Sequence, residues 1–504
     1  MKLTDFGKLN FKKINALGWW LLLTTPGVLW GQLQYGEYVW VSNCNFRQVH
    51  DIAVGPQQIY IATGQGVLRY DRYKQVWLDP WVIVRGQEES LDLRSAANVD
   101  YLEETDQVAV LTSRGAFLYD PTAQYWTATE HSFAAPEHVQ LQQAIFIDSP
   151  GQTVSGRHYF QQGENAIMDG ELRQHALGAF ANDNWGNWWI AVTGVGVLQL
   201  DSRMQRGVLW ELGLYANDVR AITRGEGWTI VAGHSRNTGI TFWKREANLW
   251  DHIEPHYTAG FESSWINDLA VTGHWLLAAT DYGLAQIDLK NGTSRTWTLF
   301  DGLWSNSTTA VAADQDTVWV AGENGVSVLY LPKGSIKRIE HPALKNQPCY
   351  RIAVDKNAVW VGAELGLFRL DRASGNGQYL GLEGGVGGAV HALHATADEI
   401  WVGRFSGVEV VDKQHLKQTG WPAQAFFAGG QVNAVLAVDS LVWIGTNQGL
   451  WKFDRARNRW HQYTEIDGLL DNRVTALLLD GDYLLIGTPA GLTRFYWNEA
   501  GRMD

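Results

Sequence analysis

Eight polar residues recur at one offset along the chain, each directly after the residue that opens a short, mostly apolar run: His50, Arg220, Asn267, Thr309, Tyr350, His391, Asn433 and Thr475. Imidazole, guanidinium, amide and hydroxyl groups gathered at one mouth would present hydrogen-bond donors and acceptors to a sugar or a peptide. The same residues also suit a plainer role, solvating a channel and capping strand ends. Stronger chemical signatures are missing. His391 and His394 stand three apart on a strand, so they point to opposite faces and cannot share a metal. Asp183-Asn-Trp-Gly-Asn187 resembles a calcium loop at a glance, but it lacks the following Glu at EF-hand spacing and reads as a hairpin turn. There is no Gly-x-Ser-x-Gly elbow, no His-Glu-x-x-His pair and no phosphate loop. The spacing therefore assigns no catalytic residue, no cofactor and no metal. Lone carboxylates such as Asp268 and Glu409 have no partner that sequence alone can supply.

The elements that must position these residues come from a repeat. With a usually apolar residue as origin, a second apolar or aromatic residue follows at +11, a Gly at +17 and often an Asp at +22. The register holds for Val49/Tyr60/Gly66/Asp71, Ile266/Leu277/Gly283/Asp288, Cys349/Trp360/Gly366/Asp371, Val390/Trp401/Gly407/Asp412 and Val432/Trp443/Gly449/Asp454. Thr308/Trp319/Gly325 and Val474/Leu485/Gly491 keep the spacing but place Tyr330 and Tyr496 where Asp would be. Looser copies occur around Gly115, Gly196 and Gly239, and a degenerate copy is expected over 137–174.

Each copy divides into four short strands. Val432 to Val438 is the first, Leu441 to Gly445 the second, Leu450 to Phe453 the third and Arg459 to Tyr463 the fourth, with a Gly-bearing reversal between the second and third. An antiparallel meander of about 42 residues is a propeller blade. The expectation is an all-β fold, a β-propeller of about 10–11 four-stranded blades in one large ring or two smaller rings, spanning 36–499. The final copy stops after Trp497 without an outer strand, and Glu37-Tyr-Val-Trp-Val41 precedes the first copy, so the N-terminal strand is expected to complete the last blade. The recurrent Trp residues read as packing between sheets and the recurrent Asp as a turn former.

Composition narrows the function classes. A net charge of -13 with no basic stripe argues against nucleic acid. Lys2, Lys8, Lys12 and Lys13 precede a largely apolar stretch from Ala16 to Trp30, which reads as a signal peptide over 1–31, with 500–504 as a short tail. No later run offers about 18 uninterrupted apolar residues, so no membrane span is expected after signal cleavage and the mature chain belongs to the periplasm or the extracellular space. Cys44 and Cys349 are the only cysteines; one bridge and two free thiols both remain open.

The run Val442-Trp-Ile-Gly-Thr-Asn-Gln-Gly-Leu-Trp-Lys-Phe-Asp454, with Asp467-Gly-Leu469 and Asn472-Arg-Val-Thr-Ala-Leu477, resembles the two-component-regulator propeller repeat. The resemblance is sharp in the second half of the chain and weak over 130–180. It implies an extracytoplasmic propeller of the kind found in sensors of hybrid histidine kinases and in exported secretion-accessory proteins. No kinase or DNA-binding region accompanies the repeats in this sequence. The expected function is an exported binding or scaffold protein that senses a glycan or peptide or docks another envelope protein. Two rival readings are a lyase or hydrolase with its site at the channel mouth and a sensor subunit that hands its signal to a separate membrane kinase.

Overall fold

The second strand of each repeat copy, typified by Leu441-Val-Trp-Ile-Gly-Thr446, is buried along nearly its whole length. Such a strand is covered on both faces, which is why it reads as an unbroken apolar run rather than an alternating one. In the computed structural model of the protein, which describes residues 39–498 apart from 88, 151–156, 236–238, 256, 264, 373, 381–387, 406 and 420–429, the repeat forms stacked antiparallel sheets. The signal peptide and the C-terminal tail expected from sequence lie outside the described residues.

Ten blade-like sheets are found among the described residues, nine with four strands and one with seven. In chain order they cover 49–81, 98–129, 146–210, 218–253, 266–297, 308–338, 349–380, 392–419, 432–463 and 476–496, and are numbered here as sheets 1 to 10. A small hairpin, Ile83–Arg85 with Ser90–Asp92, joins sheets 1 and 2. Sheet 10 receives its fourth strand from the other end of the chain: Trp40–Asn43 pairs antiparallel with Gly491–Tyr496, Trp40 opposite Phe495.

Packing of the first strands divides the sheets into two groups. Those of sheets 4 to 10 lie side by side in chain order, and the first strand of sheet 10 packs against that of sheet 4. Sheets 1 to 3 form a separate fan with sheet 1 in the middle. A single large ring is thus not the order of packing. The chain leaves the seven-sheet circuit after Asn43 and re-enters it at Asp218, and the two crossing segments run side by side. Asn45 N–H donates to Asn217 Oδ1 and its Nδ2 to the Tyr215 carbonyl, both at 2.7 Å, while Leu214 N–H donates to the Cys44 carbonyl at 2.8 Å.

Residues 137–174 do not build a blade of their own. Phe146–Asp148 lies parallel to Arg206–Trp210 on one side of sheet 3, and Tyr159–Gln162 and Ala166–Asp169 extend its other side. This stretch holds no Gly and Asp at the repeat spacing, and its hairpin of Tyr159–Gln162 with Ala166–Asp169 extends sheet 3 rather than opening a new sheet.

The turns explain the repeat's fixed residues. Gly283 has φ 115°, and a Cβ there would sit 2.2 Å from the Trp297 carbonyl oxygen, so only glycine lets the second strand reverse beneath the fourth. Thr280 Oγ1 donates to the Gly283 carbonyl at 2.7 Å and accepts from Tyr282 N–H, and Thr63, Thr446 and Thr488 repeat this turn. At +22, Asp71 Oδ1 accepts from the backbone of Tyr73 and Lys74, and Asp120 and Asp201 do the same in their turns. Asp183 Oδ1 likewise accepts from Trp185 and Asn187 N–H in a hairpin turn. Trp319, Trp360, Trp401 and Trp443 are buried between sheets. Both cysteines are buried free thiols, pushed up to about 12 by burial.

Candidate functional site at the channel mouth

In six sheets the first strand begins with an irregularity at the residue singled out by offset. In sheet 5 Ile266 pairs with Thr280 and Asp268 with Ala279, leaving Asn267 as the extra residue of a bulge. The same slip leaves His50, Arg220, Thr309, Tyr350 and Asn433 unpaired in their own sheets. A bulge turns one side chain away from the regular alternation. Here it turns the offset residue of sheets 4, 5, 6, 7 and 9 toward the central axis, while His391 and Thr475 hold the matching place just before the first strands of sheets 8 and 10.

Seven of the eight residues consequently line one central cavity of about 200 Å³: Arg220, Asn267, Thr309, Tyr350, His391, Asn433 and Thr475. His50 does not join them. It opens sheet 1 in the fan, where its Nδ1 lies 2.8 Å from the Ala96 carbonyl oxygen. The offset is the same, but its neighbours belong to the other group of sheets.

Four of the seven are occupied in holding sheets together. Asn267 Nδ2 donates to the Thr308 carbonyl at 2.7 Å and Asn433 Nδ2 to the Val474 carbonyl at 2.9 Å. Thr309 Oγ1 donates to the Cys349 carbonyl, and Thr475 Oγ1 donates to the Val219 carbonyl, the bond that joins sheet 10 to sheet 4. In each case the side chain reaches the residue that opens the next sheet. The strand-capping role read beside the ligand role in the sequence is therefore real for these residues.

Two cavity residues carry no sequence signal at that offset. His234 ends the second strand of sheet 4 and its Nε2 lies 2.8 Å from Asn267 Oδ1. Arg351 follows Tyr350, donates from Nη1 to the Tyr350 carbonyl at 3.0 Å, and has no carboxylate within ion-pair distance among the described residues. Arg220, by contrast, is paired with Asp218 at 2.8 Å. Burial pushes the His234 and His391 imidazoles down, and for His391 the Arg351 charge adds to the effect, so both rings are neutral at pH 7. Burial and the Glu364 carboxylate, which accepts from its hydroxyl at 2.6 Å, push Tyr350 up to about 12. The His391 ring packs 5.1 Å from the Tyr350 ring. Arg220 is paired with Asp218 and the single N–H of neutral His234 goes to Asn267 Oδ1, so the free donors of this mouth are the remaining N–H groups of Arg351 and the N–H of His391.

A larger cavity of about 370 Å³ sits where the fan meets the circuit, and sequence reading gave no hint of it. Arg47 Nη2 donates to Glu211 Oε2 at 2.7 Å, Arg157 Nη2 to Glu254 Oε1 at 2.6 Å and Arg173 Nη1 to Glu254 Oε2 at 2.6 Å. Tyr159 OH donates to Glu211 Oε1 at 2.7 Å, and the Arg47 guanidinium lies 4.3 Å from the Tyr215 ring centre. Burial alone would raise the Glu211 carboxyl. Hydrogen bonding with His252 and the Arg47 and Arg157 charges instead hold it far below the usual range, while burial and the Arg47 charge push the His252 imidazole down. These residues come from five separate stretches and fall into no motif.

No family model matches the chain, and no curated protein matches it. Among solved structures the chain is similar to PorZ, an essential surface component of the type-IX secretion system of Porphyromonas gingivalis, at 15% identity and a TM-score of 0.49, covering 89% of this chain and 68% of that one. It is also similar to the extracellular domain of the hybrid two-component system BT4673 of B. thetaiotaomicron, at 14% identity and a TM-score of 0.46, covering 91% and 70%. Likeness at these levels transfers no activity or ligand. Among the described residues, no helix is long and apolar enough to cross a membrane.

Proposed function

We propose that the protein is an exported propeller of the binding or scaffold type, in which sheets 4 to 10 make a seven-bladed ring with a ligand seat at its mouth and sheets 1 to 3 make a smaller accessory unit. One observation carries this reading: the residue at one repeat offset, set on a bulge in five of the seven circuit sheets and directly before the first strand in the other two, lines one cavity from all seven. Export rests on the lysines followed by the apolar stretch from Ala16 to Trp30. The ligand offers oxygen acceptors, as the hydroxyls of a glycan or the carbonyls of a peptide do, because the groups left unengaged at the mouth are chiefly the donors of Arg351 and the N–H of His391. Neither His234 nor His391 is oriented by a carboxylate; His234 leans on an amide and His391 on a tyrosine ring, which favours binding over acid–base catalysis.

The test is a thermal-shift screen of the mature chain against neutral oligosaccharides and short peptides, since a compound that binds only the folded state raises the midpoint. The expected result is a shift from one of these classes that disappears in Arg351→Gln and persists in His50→Ala, whose imidazole lies outside the mouth. A shift retained in Arg351→Gln and lost in His50→Ala would move the seat to the fan and overturn the proposal, as would the absence of any shift.

A further inference from the structure

Exposed apolar side chains are distributed unevenly over the circuit. In a four-stranded antiparallel meander the start of the first strand, the turn between second and third, and the end of the fourth share one edge. In sheets 4 to 10 these edges together form the face that surrounds the mouth. Among the described residues of the circuit ten large apolar side chains are exposed, and nine of them stand on this face; Tyr330, at the end of a third strand, is the exception. Trp265 and Tyr282 belong to the edge of sheet 5, Phe300 links sheets 5 and 6, Leu365 and Phe405 occupy turns of sheets 7 and 8, and Ile466 links sheets 9 and 10. Soluble proteins rarely gather exposed apolar groups on one side without a partner for them.

Two of these side chains are mounted on matching rigid turns. In Thr298-Leu-Phe-Asp301 the Asp301 Oδ2 accepts from Thr298 N–H at 2.9 Å, and in Thr464-Glu-Ile-Asp467 the Asp467 Oδ2 accepts from Thr464 N–H at 2.8 Å. Each is a capping box closed by a glycine, Gly302 and Gly468, at φ 119° and 123°. The result is Phe300 at 96% and Ile466 at 78% exposure on backbone that is already fixed. A pre-ordered apolar anchor loses little conformational entropy on binding, which is how interface hot spots are built.

Charge indicates what covers this face. Asp281 precedes Tyr282, Asp301 follows Phe300, Glu364 precedes Leu365, and Glu465 and Asp467 flank Ile466. These carboxylates take part in local hydrogen bonds, Asp301 also in an ion pair with Arg295 at 3.2 Å, and the chain as a whole carries -13. A second copy would bring carboxylates against carboxylates, and an anionic bilayer surface would repel the same face. We propose that this face docks a protein segment in which apolar side chains alternate with lysine or arginine, the apolar groups seating against Phe300, Ile466 and their neighbours and the cations against the adjoining carboxylates. The proposal adds a protein partner to the binding role above and does not depend on what occupies the mouth.

Three fluorescent peptides of equal length test it by anisotropy: one alternating Leu with Lys, one Leu with Glu and one Ser with Lys. The Leu–Lys peptide is expected to bind, and Phe300→Ser with Ile466→Ser to weaken it by about tenfold or more, the scale of losing anchor contacts. Tyr330→Ser on the opposite side and Arg351→Gln in the mouth leave it unchanged. Equal binding of the Ser–Lys peptide would show charge attraction alone and overturn the proposal; so would a double variant that binds as the parent does. Sedimentation of the parent as a dimer that Phe300→Ser dissociates would assign the face to a second copy instead, and phosphatidylglycerol vesicles captured through Phe300 would assign it to a membrane. Loss of the mouth's ligand in Arg351→Gln with peptide binding intact separates this proposal from the previous one.

Discussion

Replacing Glu211 by Ala tests whether the ionic cavity is the joint that holds the fan to the circuit. The carboxylate is buried and accepts from Arg47 at 2.7 Å, Arg157 at 3.3 Å and Tyr159 at 2.7 Å. Truncating it leaves buried guanidinium charge without its counter-charge, a change that costs about 3–5 kcal/mol in comparable sites. Arg157 retains Glu254 at 2.6 Å, whereas Arg47 retains only the Glu254 contact at 3.9 Å. One orphaned cation rather than two places the expected loss at the low end, about 3 kcal/mol. Urea unfolding followed by tryptophan fluorescence reads the loss, and chymotrypsin cleavage within 211–217, at Leu212, Leu214 or Tyr215, reports separation of the two units. Arg47→Met in the same chain removes the stranded charge and recovers most of the loss, because an apolar replacement of an ion pair is close to neutral. A single-variant loss below about 1 kcal/mol, the scale of an exposed pair, would refute the idea that this network carries the joint.

Two further outcomes follow from the same geometry. Trp40→Ala removes a ring stacked on Phe495 at 3.9 Å and set edge-on to Tyr463 at 5.5 Å. A loss of about 3 kcal/mol is expected for this half-buried Trp, together with aggregation detectable by light scattering as the edge Gly491–Tyr496 is uncovered; a monodisperse variant of parental stability would contradict the role of the strand. Burial pushes the His252 and His394 imidazoles below their ordinary value. The unfolded chain therefore binds protons below about pH 6.5 that the folded chain refuses, and stability falls as pH drops from 7 toward 5, by up to about 1.4 kcal/mol per pH unit for each ring. The urea midpoint at pH 7.5, 6.5 and 5.5 checks the sign, and His394→Gln flattens the slope; a midpoint that rises on acidification would refute it.

The parts of the fold legible in the sequence are those fixed within one repeat. Gly283 is dictated by a positive φ and a carbonyl 2.2 Å from where a Cβ would lie, and Asp71 by the two backbone donors it caps, so spacing alone reveals both. Convergence of Arg220, Asn267, Thr309, Tyr350, His391, Asn433 and Thr475 was legible for the same reason: equal offsets in sheets that pack in order must meet at one place. What the offset cannot reveal is membership. His50 sits at the same place in its copy, yet the bonds from Asn45 to Asn217 and Tyr215, about 170 positions away, divert sheets 1 to 3 out of the circuit. The ionic joint is invisible for a related reason, since Arg47, Arg157, Glu211 and Glu254 become neighbours only once that diversion is made.

The bulge is the step between the repeat and the site. A regular first strand would alternate its side chains between the two flanking sheets and leave the axis lined by backbone. Slipping one residue at Asn267 and at the matching positions frees a side chain to point inward while the following residue resumes alternation. Asp268 shows what the resumed register does: its Oδ1 accepts from Leu269 N–H and its Oδ2 from Val311 N–H in the next sheet, both at 3.0 Å. One irregularity therefore serves two ends, tying each sheet to its neighbour and supplying the cavity with a side chain. Where that side chain is Asn or Thr it is consumed in the tie between sheets, and where it is Arg, Tyr or His it makes no such tie: Arg220 pairs with Asp218 and Tyr350 with Glu364 within their own sheets. The selectivity of the mouth should accordingly change with substitutions at Arg220, Tyr350 and His391, while substitutions at Asn267 and Thr475 should register first as a loss of stability.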